Sequence, residues 1–319
     1  MITRRTTLKT LAAGAAALAI PGIVRAQDMP KVKIGMSGWT GFAPLTLAEK
    51  AGLFKAQGVD VETVFIPQKD RLAALAAGSV DGVATTVDTQ ILWATTIPLT
   101  QVVVLDKSNG GDGIAVRADI NDFAGLKGKS VACDAVGTTP YFMLCAMLAE
   151  NGMKPADLNI SALSPKDAAN AFVAGQFDAA VSYEPYLSTI RNDPKAGKIL
   201  ATTVDYPVVV DTLAFPTDQI GPKSDAIQKV VEGFFAALDM VKEKPDEAFG
   251  IMGERVNLTG DQFKASAEFI SWQDRAMNKA FLADGMAAFM KMAAAIQLEN
   301  KVIRSEPDLS KMVDASFVG

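Results

Sequence analysis

From residue 31 onward, short runs of β-branched and apolar residues alternate with Ala- and Leu-rich stretches whose apolar positions recur every three or four residues. That rhythm is the signature of parallel strands joined by crossover helices. It predicts strands over 31–37, 61–66, 82–85 and 101–105, with helices over 44–54 and 71–77. A second series of the same kind starts near 112, with strands over 114–117, 130–133, 159–163 and 179–183 and helices over 140–150, 166–174 and 185–191. After a further strand over 208–215 the strand signal stops, and helices are predicted over 225–242, 245–253, 260–271 and 282–297. Val230, Phe234, Ala237 and Val241 lie on one stripe of the first of these, so the helices need a sheet to cover. Their Phe and Met residues are read as core. The chain is therefore α/β with two similar halves, and it has no internal repeat of 20–50 residues of the solenoid or propeller kind.

The first 26 residues break this pattern. Thr3-Arg4-Arg5-Thr6-Thr7-Leu8-Lys9 is a basic start, residues 11–24 are an apolar stretch, and Val24-Arg25-Ala26 is a small-x-small cleavage site before Gln27. The apolar stretch falls short of the roughly 20 residues that a membrane-crossing helix needs. It is expected to be an export leader, removed to leave a soluble periplasmic protein. The paired arginines followed by Leu-Lys resemble a twin-arginine leader, with Thr7 where that pattern prefers a large apolar residue.

Composition narrows the function. The chain holds 31 Lys and Arg against 36 Asp and Glu; four of the cations lie in the leader, so the remainder has 27 against 36 and a net charge of −9. Nucleic acid is not an expected partner of so acidic a chain, because phosphate binding needs a basic surface. Histidine is absent, which removes Ser/His and Cys/His nucleophilic pairs, imidazole bases and most zinc sites, and argues against an enzyme. Cys133 and Cys145 fall mid-strand and mid-helix in apolar runs and read as buried small hydrophobes rather than a bridge.

The chemistry is expected where strands run out into polar residues and a proline that can open a helix. Three such places are Ser37-Gly38-Trp39-Thr40-Gly41-Phe42-Ala43-Pro44, Gly137-Thr138-Thr139-Pro140-Tyr141 and Tyr183-Glu184-Pro185. In open α/β sheets ligands sit at such carboxyl-end loops. Thr138 and Thr139 offer hydroxyls and free N–H groups at a helix start, an anion cradle, with a plain helix cap as the alternative. Glu184, between Tyr183 and Tyr186, could meet an ammonium or N–H donor, and Asp88 and Asp211 stand at comparable element ends. Trp39 could close over a ligand as an apolar wall. Gly78-Ser79-Val80-Asp81 and Gly175-Gln176-Phe177-Asp178 read as matched helix-to-strand corners rather than metal sites.

Several blocks, taken in order and spacing, resemble a known family. They are Gly38-Trp39 with Pro44-Leu45-Thr46-Leu47-Ala48-Glu49-Lys50-Ala51-Gly52-Leu53-Phe54, then Ala77-Gly78-Ser79-Val80-Asp81, Leu126-Lys127-Gly128-Lys129, Gly137-Thr138-Thr139 and Tyr183-Glu184-Pro185-Tyr186. The resemblance is to the periplasmic substrate-binding proteins of nitrate/sulfonate/taurine-type ABC importers, including relatives that carry thiamine-pyrimidine precursors. It implies a type II periplasmic-binding-protein fold, with two α/β lobes joined by a chain that crosses twice, near 109–113 and 206–212. The first lobe would hold 30–110 and 212–319, the second 114–206, and the solute would sit between them. It implies a monomer that uses no cofactor or metal and delivers its solute to a membrane permease driven by an ATPase.

Carried over by position, the resemblance implies solute contacts from Trp39 and Thr40, from Thr86 and Asp88, from Thr138 and Thr139, from Tyr183 and Glu184, and from Asp211. No loop arginine must face the cleft; Arg71 is the nearest. The implied solute has an anionic end at Thr138 and Thr139 and an amino end at Glu184, taurine being one example. A pyrimidine or aromatic solute would instead use Trp39, Tyr141 and Tyr183 as stacking faces. Pyrimidine-precursor synthases share the architecture but depend on histidine, so an enzyme is the lesser expectation.

Overall fold

The computed structural model describes residues 29–319; the predicted export leader lies outside the described residues. Eleven strands are present among them: β1 (Lys31–Met36), β2 (Asp60–Phe65), β3 (Gly82–Thr86), β4 (Leu99–Ser108), β5 (Asp112–Val116), β6 (Ser130–Cys133), β7 (Asn159–Ala162), β8 (Ala179–Tyr183), β9 (Lys198–Thr202), β10 (Val210–Pro216) and β11 (Ile270–Trp272). They form two sheets, one in the order β11-β4-β10-β3-β1-β2 and the other β7-β6-β8-β5-β9.

The two sheets repeat one plan. In each, three strands run parallel, β2-β1-β3 and β7-β6-β8, as crossover helices require. Beside each trio lies an antiparallel strand that has just arrived from the other sheet, β10 in the first and β5 in the second. The chain leaves the six-stranded sheet after Ser108, enters the five-stranded one at Asp112, leaves it after Thr202 and rejoins the first at Val210. The two crossing segments are tied together: the hydroxyls of Ser108 and Thr203 lie 2.7 Å apart, and Gly110 N–H donates to Thr203 Oγ1 at 2.8 Å.

Apolar residues explain which face each helix presents. Helix Ser224–Glu243 buries Ile227, Val230, Val231, Phe234, Ala237 and Leu238 against the first sheet, the stripe its spacing predicts. Helix Met286–Glu299 buries Met286, Met290, Ala293 and Ala294 in a core shared with Val87 and Ile91 of helix Val87–Ala94 and with Phe142 and Met143 of helix Thr139–Glu150. It thus contacts one helix that follows β3 and one that follows β6. Cys133 and Cys145 are free and buried.

Differences from the sequence reading have local causes. The helix expected over 44–54 is two pieces, Ala43–Lys50 and Leu53–Ala56, separated at Gly52 with φ 72°. The helix expected over 260–271 stops at Ala267, and Ile270–Trp272 instead forms β11 on the edge of the first sheet, so strands do not end at 215. Helices Val87–Ala94 and Arg275–Ala280 and strand β9 were not expected. The run over 282–297 opens as a π turn, Phe281–Gly285, before its α-helical part.

Candidate functional site

The carboxyl ends of parallel strands from both sheets converge on one small space. Ser37, Trp39 and Phe42 line it from the loop after β1, Gln68 and Arg71 from helix Gln68–Ala76, and Thr85 and Thr86 from the end of β3. Asp112, Thr139 and Tyr183 line it from the second sheet's side, and Val209 and Asp211 from the return crossing. Its volume is about 20 Å³, room for about one water molecule. The space adjoins a larger cavity of about 240 Å³, which shares Ser37, Gln68 and Tyr183 with it and continues between the two sides to Asp134, Ser164 and Tyr186.

Contacts across the cleft are specific. Gln68 Nε2 donates to the hydroxyls of Thr85 (3.1 Å), Thr89 (2.6 Å) and Thr139 (2.9 Å). Thr86 Oγ1 and Thr139 Oγ1 lie 2.6 Å apart. Thr40 N–H donates to Glu184 O at 3.3 Å. Gly137, at φ 88°, packs so closely on Leu92 that a Cβ there would fall 2.7 Å from Leu92 Cδ2, so glycine serves both the turn and the approach of the two sides.

The walls are aromatic. Trp39 and Tyr183 meet edge to face with centroids 5.5 Å apart and planes at 76°. The Trp39 indole is fixed from behind, where Nε1 donates to Asp106 Oδ1 at 3.1 Å.

The electrostatics are dominated by acids. Asp88, Asp106, Asp112 and Asp211 are all buried, and each has one carboxyl oxygen without a hydrogen-bond partner among the described residues. Loss of hydration favours the neutral form. It lifts Asp88 to about 6, against donation from Thr86 and Thr89, and Asp112 to about 7, where Ser108 opposes the rise and Asp88 and Glu184 add to it. Asp106 rises to about 8 and Asp211 goes well above the usual carboxylate range, both chiefly through burial.

One cation among the described residues faces them. Arg71 is 1 % exposed and donates from Nε to Ile66 O at 3.0 Å and from Nη1 to Ala84 O. Those bonds leave Nη2 for the cavity. Burial lowers its pKa to about 10, with Tyr183, Asp211 and Asp134 holding it up, so the guanidinium remains charged at neutral pH.

Of the ten residues expected to meet a solute, Trp39, Thr86, Thr139, Tyr183 and Asp211 line this space; Thr40, Asp88, Thr138, Tyr141 and Glu184 do not. Thr40 is buried beside Ser266, the hydroxyls 3.4 Å apart. Asp88 is reached through Thr89, whose hydroxyl donates to its Oδ2 at 3.2 Å. Thr138 neither caps its helix nor offers its hydroxyl to a ligand, because Oγ1 donates to Ala135 O at 2.8 Å. Tyr141 packs on the core around Phe142 and Met143, on the far side of its helix start.

Glu184 departs most from expectation. Its carboxylate accepts from Arg191 Nε at 3.1 Å and from Ser188 N at 3.1 Å, so it anchors helix Tyr186–Arg191. Arg191 is held in turn by Gly110 O and by stacking 4.2 Å over the Phe269 ring. Glu184→Gln is accordingly expected to destabilise the fold by about 1–3 kcal/mol and to leave solute affinity unchanged. Urea unfolding and titration calorimetry on the same variant separate the two effects.

Sequence reasoning missed Ser37, Phe42, Gln68, Thr85, Asp112 and Val209, and it left Arg71 unplaced. A signal existed for Asp112, a lone acid after Gly110-Gly111 at the head of an otherwise apolar strand. At the helix start Thr139–Glu150, Gln68 donates from Nε2 to Thr139 Oγ1 at 2.9 Å and accepts on Oε1 from Thr139 N at 3.4 Å.

Two sheets of matched plan, crossed twice by the chain and closing on a polar-and-aromatic space, define a protein of the periplasmic-binding-protein fold. A family model described as NMT1/THI5 like matches residues 39–248, and the chain belongs to that family. A Bacillus subtilis (strain 168) protein provisionally named as aliphatic sulfonates-binding is 25 % identical over 304 residues, covering 92 % of this chain and 88 % of that one. The alkanesulfonate-binding protein SsuA from Xanthomonas axonopodis pv. citri, solved bound to MOPS, superposes with TM-score 0.76 at 18 % identity over 90 % of this chain and 98 % of its own. The nitrate-binding protein NrtA from Synechocystis PCC 6803 gives TM-score 0.75 at 15 % identity, over 91 % and 87 %. These relatives are solute-binding proteins rather than enzymes.

Proposed function

We propose that this protein is the periplasmic solute-binding component of an ABC importer, and that its solute is a small amino-sulfonate of the taurine kind. The observation that carries the reading is the pairing, in one cleft, of a free guanidinium nitrogen on Arg71 with the unpartnered oxygens of Asp112 and Asp211. A sulfonate accepts from Arg71, and an ammonium donates to the two carboxylates. Nitrate or a plain alkanesulfonate answers only the first demand and leaves the oxygens of Asp112 and Asp211 without an N–H donor. Delivery to a membrane permease follows from the same reading, as does closure of one lobe (30–110 with 212–319) on the other (114–206) about the two crossings.

A pyrimidine solute is the second reading, favoured by Trp39 and Tyr183 on the cavity wall. Their 76° interplanar angle weighs against it, because sandwiching a planar ring needs two nearly parallel faces.

A thermal-shift screen with taurine, ethanesulfonate, nitrate and 4-aminopyrimidine tests the proposal. Taurine at about 100 times its Kd should raise the melting temperature by about 5 °C, and ethanesulfonate by less. A shift from 4-aminopyrimidine alone would transfer the assignment to the second reading. Chemical conversion of the bound solute would overturn the transport role.

A further inference from the structure

Asp106 and Asp211 are cross-strand partners of β4 and β10, directly opposite in register. Both strands are interior to the sheet, and the two residues are 0 % and 1 % exposed. Each has an Oδ2 with no partner among the described residues. Asp211 lines the cleft, while Asp106 lies behind it and holds Trp39.

Two buried carboxylates held opposite one another in register repel when both are ionised, and one that retains a proton, which the other accepts, removes that repulsion. The surroundings reinforce this. Asp112 faces the pair from β5, Asp88 from helix Val87–Ala94, Tyr183 from β8 and Arg71 from helix Gln68–Ala76. Arg71 is the one cation among them, and it also faces Asp134. Lys107, next in sequence to Asp106, sits on the other face of β4 with its ammonium 3.4 Å from the Phe281 ring centroid.

We propose that in the empty cleft Asp106 and Asp211 share a single proton, and that the nitrogen of an incoming cationic solute takes its place at Asp211. The exchange balances: one proton leaves for bulk water, one ammonium enters and donates an N–H to the Asp211 carboxylate, and the carboxyl end of the site keeps its charge while the solute's sulfonate is met by Arg71. Asp106 is a positioning residue in this exchange, since it meets the solute only through Asp211 and Trp39. Affinity for a cationic solute then rises as pH rises, by up to about tenfold per unit while the pair holds its proton. The shared proton stands on the carboxyl geometry alone; its replacement by solute rests on the amino-sulfonate reading.

The sign for the empty protein is opposite. The folded pair binds a proton that the unfolded chain, with ordinary carboxyls, has released above roughly pH 4. Its contribution to stability is therefore complete below about pH 4 and is lost as pH rises through the raised range of the folded pair.

Asp106→Asn is the informative variant. Its Oδ1 can still accept from the Trp39 indole, and its Nδ2–H can donate to Asp211 in place of the proton. Carbon-13 NMR of aspartate carboxyls in the ligand-free protein should show the wild-type pair titrating above neutrality and Asp211 of the variant ionised down to acid pH. Calorimetry with taurine at about pH 7 in phosphate and in Tris should show release of about one proton by the wild type and none by the variant. Wild-type carboxyls that both titrate in the ordinary range near pH 4 would overturn the shared proton. Taurine binding with identical heats in the two buffers would overturn the exchange. Failure of taurine to bind would overturn the amino-sulfonate reading and the exchange with it, while the carboxyl titration still decides whether the proton is shared.

Discussion

Arg71→Met should lower taurine affinity by about 100-fold or more, because a charge-assisted hydrogen bond of about 1.5–3 kcal/mol is lost and the cleft's acids are left without their fixed cation. Methionine keeps an unbranched apolar stem of similar reach, so the effect is not one of an emptied core. The substitution also strips the donors from Ile66 O and Ala84 O, each of which is then short of a partner. The ligand-free protein should accordingly lose about 2–4 kcal/mol of stability, readable as a lower urea midpoint. Affinity and stability should fall together for Arg71→Met, whereas Glu184→Gln should affect stability alone. Unchanged taurine affinity in Arg71→Met would remove the guanidinium from the site and with it the argument for an anionic end.

How much of this could be seen in the sequence depends on whether the signal is local. The strands of both parallel trios and their crossover helices announce themselves by β-branched runs and apolar stripes, because each must bury a face whatever its neighbours do. Strand β9, Lys-Ile-Leu-Ala-Thr, does not, since it is a sheet edge with a charged start and only partial burial. Three-residue β11 is strand only because β4 lies beside it.

The site was half legible for the same reason. Loop ends after β1, β3, β6 and β8 were placed at the cleft by the logic of open α/β sheets, and Trp39, Thr86, Thr139 and Tyr183 are there. Which of two adjacent residues faces the cleft is a finer matter. Thr85 and Thr86 both reach it from the end of β3, whereas after β8 Tyr183 lines it and Glu184 turns to Arg191. Gln68 and Arg71 sit one helical turn apart at i and i+3 on the helix after β2. Their common face was predictable, but nothing local says that this face meets the cavity.

Gly41→Ala is expected to be the most damaging small substitution near the site. Gly41 lies in the 3-10 turn Thr40–Phe42, and its φ is not positive, so alanine suits its backbone. The obstacle is space: a Cβ at Gly41 would overlap both Asp106 Oδ2 and Trp39 Nε1. Neither can retreat. Asp106 is closed in against Asp211, and the indole is packed edge to face on Tyr183. The added methyl must break the Trp39–Asp106 hydrogen bond or shift the turn, whose Gly41 O accepts from Trp272 Nε1 at 3.0 Å. Overpacking together with an orphaned indole N–H costs about 3–5 kcal/mol, or about 6–12 °C of melting temperature. Gly250→Ala is the matched control, because it adds the same methyl mid-helix with nothing within 4 Å and should stabilise by about 0.5–1 kcal/mol. Opposite shifts for the two alanines in differential scanning calorimetry are the expected result. If Gly41→Ala melts with wild type, the indole and the carboxyl can part freely, and Asp106 does not hold the aromatic wall of the cleft.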